Sequence, residues 1–284
     1  MNVREIMQFY AKNGLFQSKH GYQEKFQNLE FFYAFDEITI EIINEYCTLR
    51  QLDGVKNSTI NRELHVIKSA MNYYLKHKHT ANFKNAFNGF KLFEQDFIPR
   101  FLNASECTKL LQCSKRYGNQ ALHDYILLLL NTGCRSGELL TLTWDNVFIN
   151  EKYFIIRNSL SKNKKTIYKP LNDTSIHALF RLKNHKKYVF YNEKTNTNIK
   201  SFYKGFKNAV DRSEIGDVRI HDLRHTFASF LIKQAVPLYH VSQLLGHSDV
   251  RITQRYAHLA PENLHDCLNV LPVLTQDYKS LQKE

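Results

Sequence analysis

Four short stretches of this chain crowd together side chains that can do chemistry. In NTGCRSGELL, Arg135 follows a glycine turn and Glu138 lies three residues on, close enough along a helix to hold the guanidinium in one orientation. In SKNKKT, Lys162, Lys164 and Lys165 crowd the tip of a polar turn. HDLRHTFASF, read at about 100° per residue, puts His221, Arg224 and His225 on one arc, leaving Leu223, Phe227, Phe230 and Leu231 for a core. LLGHSDVRITQRYAHL carries His247, Arg255 and Tyr256.

Singly, each stretch has an ordinary explanation. Arg–Glu pairs decorate many helices, and lysine-rich turns are usually solvated. The two histidines of the third stretch stand four apart, as in zinc-binding HExxH helices. Here Asp222 takes the glutamate's place and an arginine between the would-be ligands repels a cation, so the spacing argues against a metal. Read together, two arginines, a lysine, two histidines and a tyrosine, with no carboxylate cluster for magnesium, form a metal-free set for attacking a phosphodiester. Fixed arginine and histidine donors suit the charge that develops on the non-bridging oxygens. A phenol, with a pKa of about 10 in water, is the available nucleophile and gains reactivity beside such cations. A lysine on a loop can protonate the leaving oxygen. His225 is expected to pack and hydrogen-bond within its own helix, and Arg255 to contact phosphate or protein.

The elements that must position these groups are mostly helical. Ile60, Leu64, Ile67, Met71, Tyr74 and Leu75 recur at helical spacing in NSTINRELHVIKSAMNYYLKH, with Asn57 or Ser58 available as a cap. ITIEIINEYCTLRQL and the aromatic-rich GYQEKFQNLEFFYAF predict two more amphipathic helices, giving a small N-terminal bundle. Pro99 disfavours helix at Ile98, and Asn103 with Glu106 resembles a helix-starting pair, so the boundary falls there. The expected division is 1–92, a linker over 93–101, and 102–284. In the second part LHDYILLLLNTG predicts a buried helix ended by Gly133. KYFIIRN and KTIYKPL predict a hairpin with the lysines at its tip, and YVFYN a further strand. Helices resume at NIKSFYKGFKNAVDR and HDLRHTFASFLIKQ, with short ones over 241–245 and 249–256. The fold class is therefore mostly α with a small antiparallel β-sheet.

Composition narrows the partners. Over 284 residues the net charge is +12, of which residues 1–100 carry +2 and residues 101–284 carry +10. Such asymmetry suggests a polyanionic partner. No apolar run reaches the roughly 18–20 residues that span a bilayer, so no membrane partner is expected. The five scattered cysteines include no CxxC pair, arguing against disulfides or a thiolate metal site and for a reducing cytoplasm.

In these four motifs, in this order, the chain resembles the tyrosine recombinases of the phage-integrase family, whose catalytic fold is shared with type IB topoisomerases. TGCRSGELL resembles the first arginine box, SKNKKTIYKPL the β-hairpin lysine, HDLRHTFAS the HxxR box, and LLGHSDVRITQRYAHL the histidine and nucleophile box. The resemblance implies Arg135, Lys162, His221, Arg224, His247 and Tyr256 as catalytic residues, with Tyr256 the nucleophile and Glu138 supporting Arg135. Lys164 and Lys165 remain alternatives to Lys162. STINRELHVIKSAMNYY is similar to the family's helical core-binding (SAM-like) domain, which implies two domains that clamp double-stranded DNA.

The implied reaction is site-specific strand exchange through a 3′-phosphotyrosyl intermediate, with no cofactor, metal or ATP, in a homo- or hetero-tetramer on DNA and with room for accessory proteins. The C-terminal LHDCLNVLPVLTQDYKSLQKE, with apolar residues at helical spacing, is expected to form a helix; the resemblance implies that it docks on a neighbouring subunit, and packing on its own domain is the alternative. The chain leaves no room for an added N-terminal arm-binding domain, which favours a simple two-domain enzyme of the Xer type or one from a mobile element. The rival expectations are a type IB topoisomerase-like nicking-closing enzyme and a non-catalytic DNA-binding protein. The second would be expected to have lost a key residue, and all six are present.

Overall fold

A computed structural model describes residues 3–13, 28–35, 37–78, 85–91, 93, 99–157 and 166–260. The hairpin tip with Lys162, Lys164 and Lys165, the C-terminal segment expected to be helical, and much of the aromatic-rich segment before Asn28 lie outside the described residues. The chain divides into two compact units, Met1–Phe97 and Ile98–Glu284.

The first unit is helical. Helices α1 (Val3–Lys12), α2 (Ile40–Leu52) and α3 (Asn57–Lys78) enclose a core of Ile6, Met7, Phe32, Ile43, Tyr46, Ile60, Leu64, Ile67, Met71 and Phe87. Ile60, Leu64, Ile67 and Met71 are the stripe that the spacing in α3 predicts; Tyr74 packs at its edge. Glu63 is buried in the same helix, and its carboxylate accepts from Tyr46 Oη at 2.8 Å and from Arg50 Nη2 at 2.9 Å. A buried carboxylate is tolerable only with such partners.

The second unit opens at α4 (Ala104–Tyr117), where Asn103 accepts from the Glu106 backbone N–H and Glu106 accepts from that of Asn103. Helix α5 (Gln120–Thr132) is started by the Asn119 side chain and stopped by Gly133, which sits in the left-handed region at φ 59°. A Cβ at this position would lie 2.4 Å from the Phe227 ring, so both conformation and space demand glycine. Helix α6 (Ser136–Leu140) follows, with Arg135 as the residue that precedes its first turn rather than one inside it.

Strands β1 (Val147–Phe148), β2 (Tyr153–Ile156) and β3 (Ile167–Pro170) form an antiparallel sheet in that order, with Tyr153 opposite Pro170 and Ile156 opposite Ile167. Helix α7 (Asp173–Leu182), a short antiparallel pair β4 (Tyr191–Asn192) and β5 (Thr197–Asn198), and α8 (Tyr203–Ser213) come next. Helices α9 (Ile220–Lys233) and α10 (Leu238–Leu245) close the unit. The expected helix over 249–256 is instead two 3-10 turns, Val250–Ile252 and Gln254–Leu259. Val250 and Ile252 are exposed, so no apolar stripe supports a longer helix there. Mostly helical, with small antiparallel sheets, is the fold class the patterning indicates.

The buried α5 packs against α4, α7 and α9. A separate cluster joins α9 and α10 to the ring of Tyr256: Ala228, Ile232, Val241 and Leu245 are buried with it. That cluster holds the phenol against α9. Phe230, expected to face a core from the same helix, is instead 36% exposed.

Candidate active site

Each candidate side chain is delivered by an element end. Arg135 leaves the turn after Gly133, and Glu138, buried one turn into α6, accepts from the Arg135 backbone N–H at 3.0 Å and from its Nη1 at 2.7 Å. One carboxylate thus starts the helix and fixes the guanidinium. His221, Arg224 and His225 project from the first two turns of α9. That helix is started in a similar way: Asp222, 1% exposed, accepts from the Arg219 backbone N–H at 2.8 Å and from its Nη2 at 2.9 Å. His247 follows the left-handed Gly246 at the end of α10, and Tyr256 stands in the last 3-10 turn.

These groups converge. Arg135, His221, Arg224, His225, His247, Arg255 and Tyr256 line one cavity of about 260 Å³. Five of the six side chains expected to be catalytic meet there; the sixth, Lys162, lies outside the described residues. Among the described residues no cluster of histidine, cysteine, aspartate or glutamate suits a metal ion.

Arg224 is 3% exposed. Its Nη1 donates to the Gly133 carbonyl at 2.6 Å, while its Nη2 is buried without a hydrogen-bond partner among the described residues. Burial, reinforced by Arg135, pulls its pKa down to about 10, so it remains charged at neutral pH. A buried cationic donor with nothing to bind is costly, and an anion in the cavity would remove that cost.

The histidines are neutral near pH 7. Loss of hydration, followed by the Arg224 and Arg135 charges, holds His247 down to about 3, and its Nδ1 pairs with Thr253 Oγ1 at 2.7 Å. His221, at the exposed rim, is lowered by partial desolvation and by Arg224. Burial, with His221 behind it, brings His225 down to about 4.

Tyr256 is 2% exposed, and burial raises its pKa, outweighing the opposing Arg255 and Arg224 charges. The cations alone therefore do not activate the phenol. Its Oη instead pairs with Nδ1 of His225. His225 packs as expected, and this contact across 31 residues of sequence comes in addition to anything its own helix offers. Its signal in the sequence was only its place one turn after His221, on the arc that Arg224 shares.

A second group was missed. Lys169, on the inward face of β3, is 1% exposed, and its Nζ donates to the carbonyls of Thr132, at 3.3 Å, and Leu244. Strand alternation with Ile167 could have revealed it, since the period of two turns both side chains to the same face.

A model of the phage integrase family matches residues 100–263. The integrase of Salmonella phage P22 is 31% identical over 179 residues, covering 58% of this chain and 45% of that protein, so the match spans under half of its length. The integrase of Haemophilus phage HP1 (strain HP1c1) is 30% identical over 252 residues, covering 84% of this chain and 69% of the relative. Among solved structures, the Tn1549 transposon integrase in complex with transposon right end DNA is similar with a TM-score of 0.76 and 18% identity, over 95% of this chain and 99% of that one. At that identity the likeness is one of fold.

Proposed function

Because this chain belongs to the phage integrase family, matched over more than half its length, we propose that it is a site-specific DNA recombinase that cuts and rejoins strands through a 3′-phosphotyrosyl intermediate. The observation that carries the reading is the unpartnered, buried Nη2 of Arg224 in a cavity that also holds Arg135, His247 and the phenol of Tyr256. Two guanidiniums and a neutral histidine donor around one small space suit the trigonal-bipyramidal charge of a phosphoryl transition state better than any uncharged substrate.

In this reading Tyr256 Oη attacks the scissile phosphorus, releasing a 5′-hydroxyl. Arg135, steadied by Glu138, and Arg224 hold the non-bridging oxygens. His247, its Nδ1 occupied by Thr253, presents Nε2 to the same phosphate, and His221 assists from the rim. Lys162 is assigned as the acid for the leaving oxygen, with Lys164 and Lys165 as alternatives. A 5′-hydroxyl from a partner duplex then reverses the step. The phosphotyrosyl bond retains the free energy of the broken linkage, so no nucleotide is consumed. Both parts of the chain would contact the duplex, and paired exchange at two sites implies a tetramer on DNA. The HP1 and P22 relatives are named integrases, which supports integration or excision of a mobile element as the biological task.

The test begins by selecting, from a random duplex pool, the sequence the full chain binds, then placing a nick beside the cleavage point so that rejoining fails. Wild-type protein should accumulate a covalent adduct on a denaturing gel, without added metal. Tyr256→Phe should form none while binding the same duplex within about threefold. An adduct surviving in that variant, or one that requires magnesium, would refute the assignment.

A further inference from the structure

The Tyr256 phenol sits above its ordinary pKa in spite of two nearby arginines, so its proton must be taken as it attacks. Among the described residues the hydrogen bond of its Oη goes to His225, not to His221 or His247. Resting on the recombinase reading, we propose that His225 is the general base that accepts the Tyr256 proton through Nδ1. The pair is well placed for it. His225 is 3% exposed, its ring lies 5.8 Å from the Tyr256 ring between centroids, and α9 fixes it next to Arg224 and one turn from His221. His221 stands edge-on to it, with ring centroids 4.9 Å apart and planes at 90°. A residue that only filled space would not need a ring nitrogen in hydrogen-bond contact with the nucleophile.

The charges acting on His225 come from His221, Asp222 and Arg219 along its own helix and its start, and from Arg255 on the tyrosine turn. Burial above all, with these charges behind it, leaves the imidazole neutral at physiological pH, and in the tautomer protonated at Nε2 its Nδ1 accepts. Before substrate arrives, proton transfer from phenol to imidazole is uphill. A bound phosphodiester adds negative charge that favours the imidazolium, and P–O bond formation makes the phenolic proton far more acidic. Transfer then accompanies attack. The Tyr256 O–H bond breaks toward Nδ1 as the P–Oη bond forms and the P–O5′ bond breaks, the 5′ oxygen taking its proton from a separate acid. On rejoining, the 5′-hydroxyl displaces the tyrosyl oxygen, and His225 returns its proton to Oη.

His225→Asn separates basicity from placement, because the Asn Oδ1 lies near the position of Nδ1 and still accepts a hydrogen bond. On the nicked duplex described above, adduct formation by this variant should slow by roughly 10²–10⁴-fold, with duplex affinity and thermal midpoint unchanged. Adduct formation at the wild-type rate would overturn the proposal. A duplex with sulfur at the bridging 5′ position releases a thiolate that needs no acid. It should restore Lys162→Ala and leave His225→Asn slow; restoration of His225→Asn would place His225 on the leaving group and overturn the assignment. Should the variant fold poorly, ¹⁵N-histidine spectra of the wild type decide: His225 should show an unprotonated, hydrogen-bonded Nδ1 that shifts in Tyr256→Phe. A protonated Nδ1 at pH 7 would overturn it. Absence of any adduct from wild-type protein would instead bring down the recombinase reading itself.

Discussion

Arg224 splits one planar group: Nη1 ties it to the Gly133 carbonyl, and Nη2, buried without a hydrogen-bond partner among the described residues, is the donor that the proposed reaction would use on the phosphate. Lysine cannot reproduce this, since a single ammonium on a flexible stem lacks the fork. Arg224→Lys should therefore keep the charge yet cut the rate of adduct formation by about 10²–10³-fold, the usual cost of losing one donor to a developing oxyanion. Duplex affinity should change little. Wild-type rates in single turnover would mean that charge alone, rather than donor geometry, is what the site needs. The residue types of this site were legible from the sequence, because arginine, histidine and tyrosine in phosphate chemistry have few substitutes. What escaped was a pairing. His225 meets Tyr256 across 31 residues, and no local spacing encodes a contact made only when α9 and the last 3-10 turn pack on the same apolar cluster.

At the scale of elements, the site depends on two helix ends being held at a fixed separation. The α5 end feeds Gly133 and Arg135, and the α10 end feeds Gly246 and His247; the Lys169 amine donates to a carbonyl at each end. Desolvation is the largest influence on that amine. Cys134 and Glu138 oppose it while Arg224 and Arg135 add to it, and its pKa falls from an ordinary 10.5 to about 8. The unfolded chain therefore binds more protons than the folded one between those values, and stability rises with pH across that window. Relative to Lys169→Met, the wild type should gain on the order of 2 kcal/mol in urea unfolding between pH 7.5 and 9.5. A pH-independent difference would show that the two carbonyls keep the amine fully charged. Elements with a long apolar stripe, such as α3, or with a glycine stop, such as α5, could be read in advance. The segment after Gly246 could not, because its turns owe their shape to Asp249 and Thr253 side-chain bonds and to the buried Tyr256 ring.

For the molecule as a whole, two buried or half-buried histidines kept neutral carry a thermodynamic consequence. His225 and His247 are held to about 4 and about 3, against an ordinary 6.5. As pH falls below about 6.5 the unfolded chain takes up protons at both positions and the folded one does not, so stability present above that value is lost progressively toward pH 4. Carboxylates held low by arginine partners, such as Glu106 beside Arg100, add to the loss only below their ordinary 4.5. The histidine window therefore comes first on acidification. Urea midpoints should decline between pH 7 and 5 for the wild type and decline less over the same range in a His225→Asn/His247→Asn variant, with the same m value; His221, also lowered, accounts for what decline remains. A wild-type midpoint that is level from pH 7 to 5 would mean the two imidazoles are not shielded from protonation by the folded site.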